Sequence, residues 1–305
     1  MLTGEDGKIE QPIGGSSEHE FLAGERALDE VRSDVVSFIR RRVAEAGANG
    51  AVVAMSGGVD STLTAALAAE AVGSDRVLGL GLPCNKLDSH HMADARTVAE
   101  GLGIEFREIQ LQPLLDAFED AVAGIDSRER ATENAIARLR MACAYYAANA
   151  RSRLVVGTAN RSERLLGYFT KYGDGAADLY PIGDLYKTEV RALAHHVGVP
   201  RRIVRKAPTA GLRVGQTDEK DLGATYPVID RLLRGMIDRR EDVETAADGA
   251  GADQATAERI ADRYRDTVHK RAVPPTPGLS DRGTGRPAHL LHLEEREASG
   301  DGDRE

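Results

Sequence analysis

At 305 residues the chain is long enough for one large α/β domain or two smaller ones, and either buries a substantial core. Its formal charge of −9 and pI near 5.5 argue against a nucleic-acid groove as the main binding surface, which shows as a basic surplus or stripe. Two cysteines, Cys84 and Cys143, make no disulfide framework in a chain of this length and point to a reducing compartment.

The first residues, MLTGEDGKIE, contain no apolar stretch that reads as a signal sequence, and charge breaks every apolar run well short of a membrane span. A soluble, cytoplasmic protein with a small-molecule ligand is expected, with no nucleic acid and no membrane as partner. Residues 1–17 read as a flexible N-terminus, 18–275 as a single folded domain and 276–305 as a flexible acidic tail. The folded part opens with an amphipathic helix over about 20–47, then strand AVVAM (51–55), a helix over 60–73 and strand RVLGLGL (76–82). A helix over 88–101, strand IEFREIQ (104–110), helices near 113–123 and 128–150, and strand RLVVG (153–157) follow. Short apolar runs alternating with helical periods predict a Rossmann-like parallel sheet with helices on both faces. Beyond Gly157 the stretch 167–184 is rich in Gly, Asp and Tyr without a period and reads as an ordered loop. Helix TEVRALAHHVG (188–198) ends at a glycine, 206–224 reads as mobile, and two or three helices are expected over 225–270.

The sharpest signal is Ser-Gly-Gly-Val-Asp-Ser, residues 56–61, set between the first strand and its helix. In an open parallel sheet ligands bind at the carboxyl ends of strands, where loops become helices. Gly57 and Gly58 let backbone N–H groups point inward, Ser56 and Ser61 add hydroxyls, and the helix adds its positive end. Such a cradle suits a phosphate or pyrophosphate. A plain turn needs one capping residue, whereas five of these six positions suit an anion nest. The Gly-Lys-Ser/Thr ending of a Walker A loop is missing, and no G-x-G-x-x-G opens a helix.

The hexapeptide resembles the pyrophosphate loop of the PP-loop ATP pyrophosphatases, which split ATP into AMP and pyrophosphate. Three further stretches resemble the ammonia-dependent NAD synthetases within that superfamily: NAIARLR (134–140), VVGTANRSERLLGYFTKYGDGAADLYPIGDLYKTEV (155–190), and PTAGL (208–212) with His269-Lys270. The resemblance covers roughly residues 20–275. It implies ATP contacts from Ala54, Met55, Ser56, Gly57, Gly58, Val59, Asp60, Ser61, Thr158, Lys187 and Thr209. It implies Mg²⁺ ligands at Asp60 and Glu163, and deamido-NAD contacts from Arg138, Lys171, Asp178, His269 and Lys270. Three of the seven lysines fall on these matching positions. Ala54 departs from the family's usual Gly, a change of one methyl group that is expected to be tolerated.

The implied reaction joins ammonia to deamido-NAD, with ATP as co-substrate, through an acyl adenylate that ammonia attacks. Lys187 is expected to supply positive charge there, and Asp174 to capture and deprotonate ammonium. Fewer than 60 residues precede the loop, none of them Cys, so a glutaminase active site is not expected in this chain. The resemblance also implies a homodimer. A tRNA thiolase is the nearest alternative, since it needs reactive cysteines; a nucleotide-binding sensor is the alternative outside catalysis.

Overall fold

The computed structural model describes residues 21–275, apart from 23, 85–88, 126–128, 210 and 212–214. Both expected tails lie outside the described residues. Four strands, Ala51–Ala54 (β1), Val77–Gly81 (β2), Glu105–Glu108 (β3) and Leu154–Val156 (β4), form a parallel sheet in the order β3-β2-β1-β4. Ala51 pairs with Val77 on one side and Leu154 on the other, which makes β1 central. The chain winds outward through β2 and β3 and then returns across β1 to β4. That reversal leaves a crevice at the carboxyl ends of β1 and β4, the switch point where an open α/β sheet receives ligands.

Alternation along β1 sends Val52 and Val53 to opposite faces, and each meets its own apolar cluster. On the Val53 side lie Glu25–Glu45 (α1), Val59–Val72 (α2) and Ser89–Leu102 (α3), contributing Ile39, Leu63, Leu67 and Val98. On the Val52 side lie Gln112–Ala121 (α4) and Glu129–Arg151 (α5), contributing Leu115, Ile136, Ala144 and Ala148. The outer strand β3 is edged with charge: Glu105 accepts hydrogen bonds from Arg151 and Arg107, a device that blunts an open strand edge. The Arg151 bond, more than the Arg107 one, lowers the Glu105 pKa to about 2.

After β4 come Arg161–Leu166 (α6), Lys187–His196 (α7) and Arg201–Val204 (α8), with α7 joining the Val53-side core through Val190 and Leu193. The stretch 167–184 is irregular, as expected, except that Leu179 bridges to Val156 at the free edge of β4. Two expectations need correction. The stretch 206–224 contains a helix, Asp218–Leu222 (α9), started by the Thr217 hydroxyl and ended by Gly223 at φ +75. Among the described residues the C-terminal part holds four α-helices, Tyr226–Leu233 (α10), Val243–Ala250 (α11), Gln254–Asp266 (α12) and Val268–Arg271 (α13), with a π-helical turn, Arg234–Asp238, continuing α10. Asp242 and Asp253 each accept a bond from the backbone three residues on, which starts α11 and α12 separately. These helices close a third apolar cluster on Leu166 and Tyr186. No helix among the described residues is long and apolar enough to cross a membrane.

Candidate active site

Of the residues expected at the site, all but Gly57 and Asp178 line one cleft of about 680 Å³ at the ends of β1 and β4. Gly57 lies beneath the loop at φ +74, and a Cβ there would come 2.2 Å from the His91 carbonyl oxygen, so only glycine fits. Within the loop, the Ser61 hydroxyl accepts from the Ser56 N–H at 3.2 Å and lies 3.2 Å from the Ser56 hydroxyl. Neither Asp60 nor Ser61 caps α2: Gly58 is the N-cap, with no side chain bonded to the first turn. Gly58, Val59, Asp60 and Ser61, the start of that helix, line the cleft. Ala54 and Met55 line it at the end of β1.

Lys187 is the centre of charge. Its Nζ donates to Asp60 Oδ2 at 2.6 Å and to Glu163 Oε1 at 3.0 Å, and it lies 5.2 Å from the centre of the Tyr226 ring. Each member of the trio is placed by backbone chemistry. Lys187 starts α7, where its own N–H donates to the Ser162 hydroxyl, which in turn donates to Asp230, while the Thr188 N–H donates to Asp230 directly. Glu163 sits in the first turn of α6 in a capping box with Asn160. The Asn160 amide then reaches Asp60 Oδ1 at 2.9 Å, tying the two carboxylate-bearing elements together. Lys187 is 3% exposed and the two carboxylates 17%.

Two carboxylates against one ammonium leave a surplus negative charge in a largely buried place. Burial would lower the Lys187 pKa, but Asp60 and Glu163 outweigh it and raise it, so Lys187 stays charged. The strain of the surplus falls on Glu163: burial raises its pKa, Lys187 pulls it back, and Asp60 pushes it up again. Among the described residues no cluster of three or more His, Cys, Asp or Glu is able to hold a metal unaided. Two hard carboxylates converging beside an anion loop fit a Mg²⁺ ion that arrives with phosphate oxygens as its remaining ligands.

The other expected residues have the following positions. Thr158 follows β4 and lines the cleft, as does Thr209, whose hydroxyl accepts from the Gly211 N–H at 3.1 Å. Arg138 donates to the Lys171 carbonyl at 3.3 Å, and the Lys171 ammonium donates to the His269 carbonyl at 2.6 Å. Lys270 donates to the carbonyls of Gly167 and Phe169, each at 2.7 Å. Asp174 accepts from the Thr170 N–H at 2.9 Å and opens on the cleft, with protein crowding its other sides; that burial raises its pKa. Asp178 stands apart. Its carboxylate accepts from the Val155 N–H at 2.7 Å and from the Tyr145 hydroxyl at 3.2 Å, which ties it to β4 outside the cleft wall.

Four residues escaped the sequence reading. Lys206 approaches the loop, with its ammonium 3.5 Å from the Gly57 carbonyl oxygen and 3.2 Å from Asp94. Asp218, 3% exposed, lines the cleft and accepts from the hydroxyls of Tyr168 and Tyr226. Asn160 and Asp230, each 0% exposed, brace the charged trio. Only Asn160 carried a signal, since Asn-Arg-Ser-Glu has the spacing of a capping box.

A family model described as NAD synthase matches residues 31–274. The NH(3)-dependent NAD(+) synthetase of Methanosarcina mazei is 43% identical over 254 residues, covering 83% of this chain and 99% of its own. Among solved structures, the NMN synthetase of Francisella tularensis matches with TM-score 0.74 at 36% identity, over 83% of this chain and 99% of its own. The NH3-dependent NAD synthetase of Campylobacter jejuni matches with TM-score 0.69 at 28% identity, over 82% and 98%. A sheet whose switch point carries the glycine-serine loop, and a likeness that runs through almost every described element, have one explanation: this chain belongs to the NAD synthase family.

Proposed function

We propose that this chain amidates the nicotinate carboxylate of deamido-NAD with ammonia, coupled to cleavage of ATP to AMP and pyrophosphate. One observation carries the reading: the anion loop, the Lys187 trio and the Arg138, Lys171 and Lys270 side chains line a single cleft in a chain of this family. A carboxylate is a poor electrophile and must first be activated. One of its oxygens attacks the α-phosphorus of ATP, the bond to the bridging oxygen breaks, and pyrophosphate leaves with the electron pair. Ammonia then adds to the acyl carbon, the bond to AMP breaks, and nitrogen loses a proton.

The side chains suit these demands. Charge grows on phosphate oxygens, which calls for preorganised donors and cations rather than a protein nucleophile. The loop N–H groups with Ser56 and Ser61 supply donors, and Lys206 is a cation beside the loop in addition to Lys187. Asp60 and Glu163 would hold Mg²⁺, which neutralises phosphate charge when bound. Asp174 takes the part of the group that captures ammonium: a carboxylate open to the cleft, with a pKa raised toward that of a useful base. Thr158 and Thr209 serve ATP, and Arg138, Lys171, His269 and Lys270 serve deamido-NAD; Asp178 supports the β4 edge beside them.

The thiolase alternative is not favoured. Cys84 is 1% exposed, and burial raises the Cys143 pKa, so neither thiol resembles a reactive one. We further propose a cytoplasmic homodimer. The packed pair α4 and α5 leaves Leu114, Phe118 and Tyr146 exposed, apolar surface that a second copy would cover. Sedimentation at micromolar concentration tests this, and a monomer would refute it.

The deciding assay supplies ATP, Mg²⁺, deamido-NAD and ammonium chloride, with glutamine replacing ammonium in parallel and the nicotinate mononucleotide replacing deamido-NAD. NAD and AMP formed with ammonium and not with glutamine are expected. Preference for the mononucleotide would move the chain to the activity named for its Francisella tularensis relative.

A further inference from the structure

Lys206 stands between the Ser56–Ser61 loop and a carboxylate that takes no part in the cleft wall. Its ammonium lies 3.5 Å from the Gly57 carbonyl oxygen and donates to Asp94 Oδ2, on α3, at 3.2 Å. The backbone under that side chain is held: the Lys206 N–H donates to the Ile203 carbonyl, and Arg191 of α7 donates to the Lys206 carbonyl at 3.0 Å. The freedom that remains is in the flexible four-carbon stem. Lys206 lines the cleft, and Asp94 does not.

Asp94 is bound twice, one cation to each oxygen. Arg202 of α8 donates to Oδ1 at 3.2 Å, and Lys206 takes Oδ2. Burial would raise the Asp94 pKa, but the bonds from Arg202 and then Lys206 outweigh it and lower it, so the carboxylate is ionised at neutral pH. The pair is also loose. Lys206 is 27% exposed and Asp94 26%, against 3% for Lys187 in its shorter bond to Asp60, so water and Arg202 are at hand if the ammonium leaves. A part-exposed pair of this kind is weak enough to exchange for a phosphate oxygen carrying more charge.

The chemistry gives such an exchange a use. The reaction ends with pyrophosphate in the loop, and a cation that did nothing but attract phosphate would hold the product as firmly as the substrate. Resting on the reading that this loop receives the phosphates of ATP, we propose that Asp94 competes with them for Lys206. The ammonium passes from Asp94 to phosphate when ATP binds and returns to Asp94 as pyrophosphate leaves. Arg202 keeps the carboxylate in place meanwhile. Asp94 touches no substrate and acts through Lys206, which makes it a positioning residue for product release.

The test titrates the full chain calorimetrically with magnesium pyrophosphate and, separately, with ATP and Mg²⁺ in the absence of acceptor. Asp94→Asn keeps the shape and removes the charge. It is expected to tighten pyrophosphate about two- to fivefold, the value of a part-exposed ion pair, and to lower by the same factor the pyrophosphate concentration that half-inhibits NAD formation. A residue serving stability alone has no means of raising that affinity. Arg202→Gln, at a side chain 56% exposed, leaves Lys206 more firmly with Asp94 and is expected to weaken pyrophosphate, which gives an opposite sign if Asp94→Asn does not fold. In a Lys206→Met background neither change has an effect, because the contested ammonium is gone. Affinity for pyrophosphate that stays constant or falls in Asp94→Asn, that stays constant in Arg202→Gln, or that rises equally in the Lys206→Met background overturns the competition. A wild type that binds neither pyrophosphate nor ATP removes the reading of the loop, and the competition with it.

Discussion

Lys187→Met is the most informative single perturbation, because it removes the one ammonium that two buried carboxylates share. At 2.6 and 3.0 Å each pair attracts by about 6 kcal/mol at an effective dielectric near 20. Desolvating the ammonium offsets much of this, so the net loss on deleting one partner of such a buried group is about 3–5 kcal/mol. The exposure of 3% for Lys187 and 17% for the carboxylates justifies the buried value over the surface one. A second consequence fixes the mechanism of the loss. Without Lys187 the Glu163 carboxyl, already raised by burial, rises further, and the folded state holds a proton that the unfolded state releases. Glu163 is already raised to about 7 in the wild type, so both proteins gain stability below pH 7 and the further rise in the variant shows above it. The deficit therefore widens from pH 7 to pH 9 and narrows again on acidification between those two values. Urea unfolding of both proteins at the two pH values measures this. A deficit below about 1 kcal/mol at pH 7, or one that stays constant on acidification, would refute the account of a buried, charge-surplus trio.

Gly57→Ala forces a Cβ to 2.2 Å from the His91 carbonyl oxygen at a left-handed φ, so the loop must shift; ATP binding is expected to weaken at least about 10-fold by titration, with a lowered Tm. Asp230, 0% exposed, has its pKa raised to about 6 chiefly by burial, so the wild type gains up to about 3 kcal/mol as pH falls from 7 to 4, and Asp230→Asn flattens that part of the profile. Asp174→Asn is expected to raise KM for ammonium and to remove an acid limb from the pH profile of kcat/KM; an unchanged profile would exclude it as the base. Lys206→Met should weaken ATP about 10-fold with KM for deamido-NAD unchanged, read from initial rates at varied ATP.

The sheet was legible because its strands are short apolar runs bounded by glycine and charge, so periodicity alone set β1, β2 and the helices between them to within a residue or two. The place of the Ser56–Ser61 loop was legible for a different reason: Ser-Gly-Gly-Val-Asp-Ser is a strand-to-helix turn complete within six residues, and the fold puts it at a switch point on the cleft. The C-terminal helices were less clear because their breaks rest on side chains such as Asp242 and Asp253 acting as caps inside a generally helical composition. The bracing residues carried no comparable signal. Asp230 reaches α7 across 42 residues and Asn160 reaches Asp60 across 100, so their importance exists only once the chain has folded.

That division has a consequence for how the site tolerates change. On the proposed function the loop offers backbone donors to phosphate, so a change there acts directly on ATP. The trio works differently: Asp60 belongs to α2, Glu163 to α6 and Lys187 to α7, three helices whose charged residues are braced by Asn160, Ser162 and Asp230. A shift of any one helix changes the distance between charges whose interaction varies steeply at 3 Å. Bracing residues that never touch substrate should therefore alter the apparent metal requirement. Asp230→Ala frees the start of α7 by removing the acceptor of the Thr188 N–H and of the Ser162 hydroxyl, and so loosens Lys187 against Asp60 and Glu163. The expected result is a rise in the Mg²⁺ concentration for half-maximal rate, with KM for deamido-NAD unchanged in protein that is still folded. An unchanged Mg²⁺ dependence in that variant would mean that the carboxylates keep their places without the brace, and that Asp230 serves stability alone.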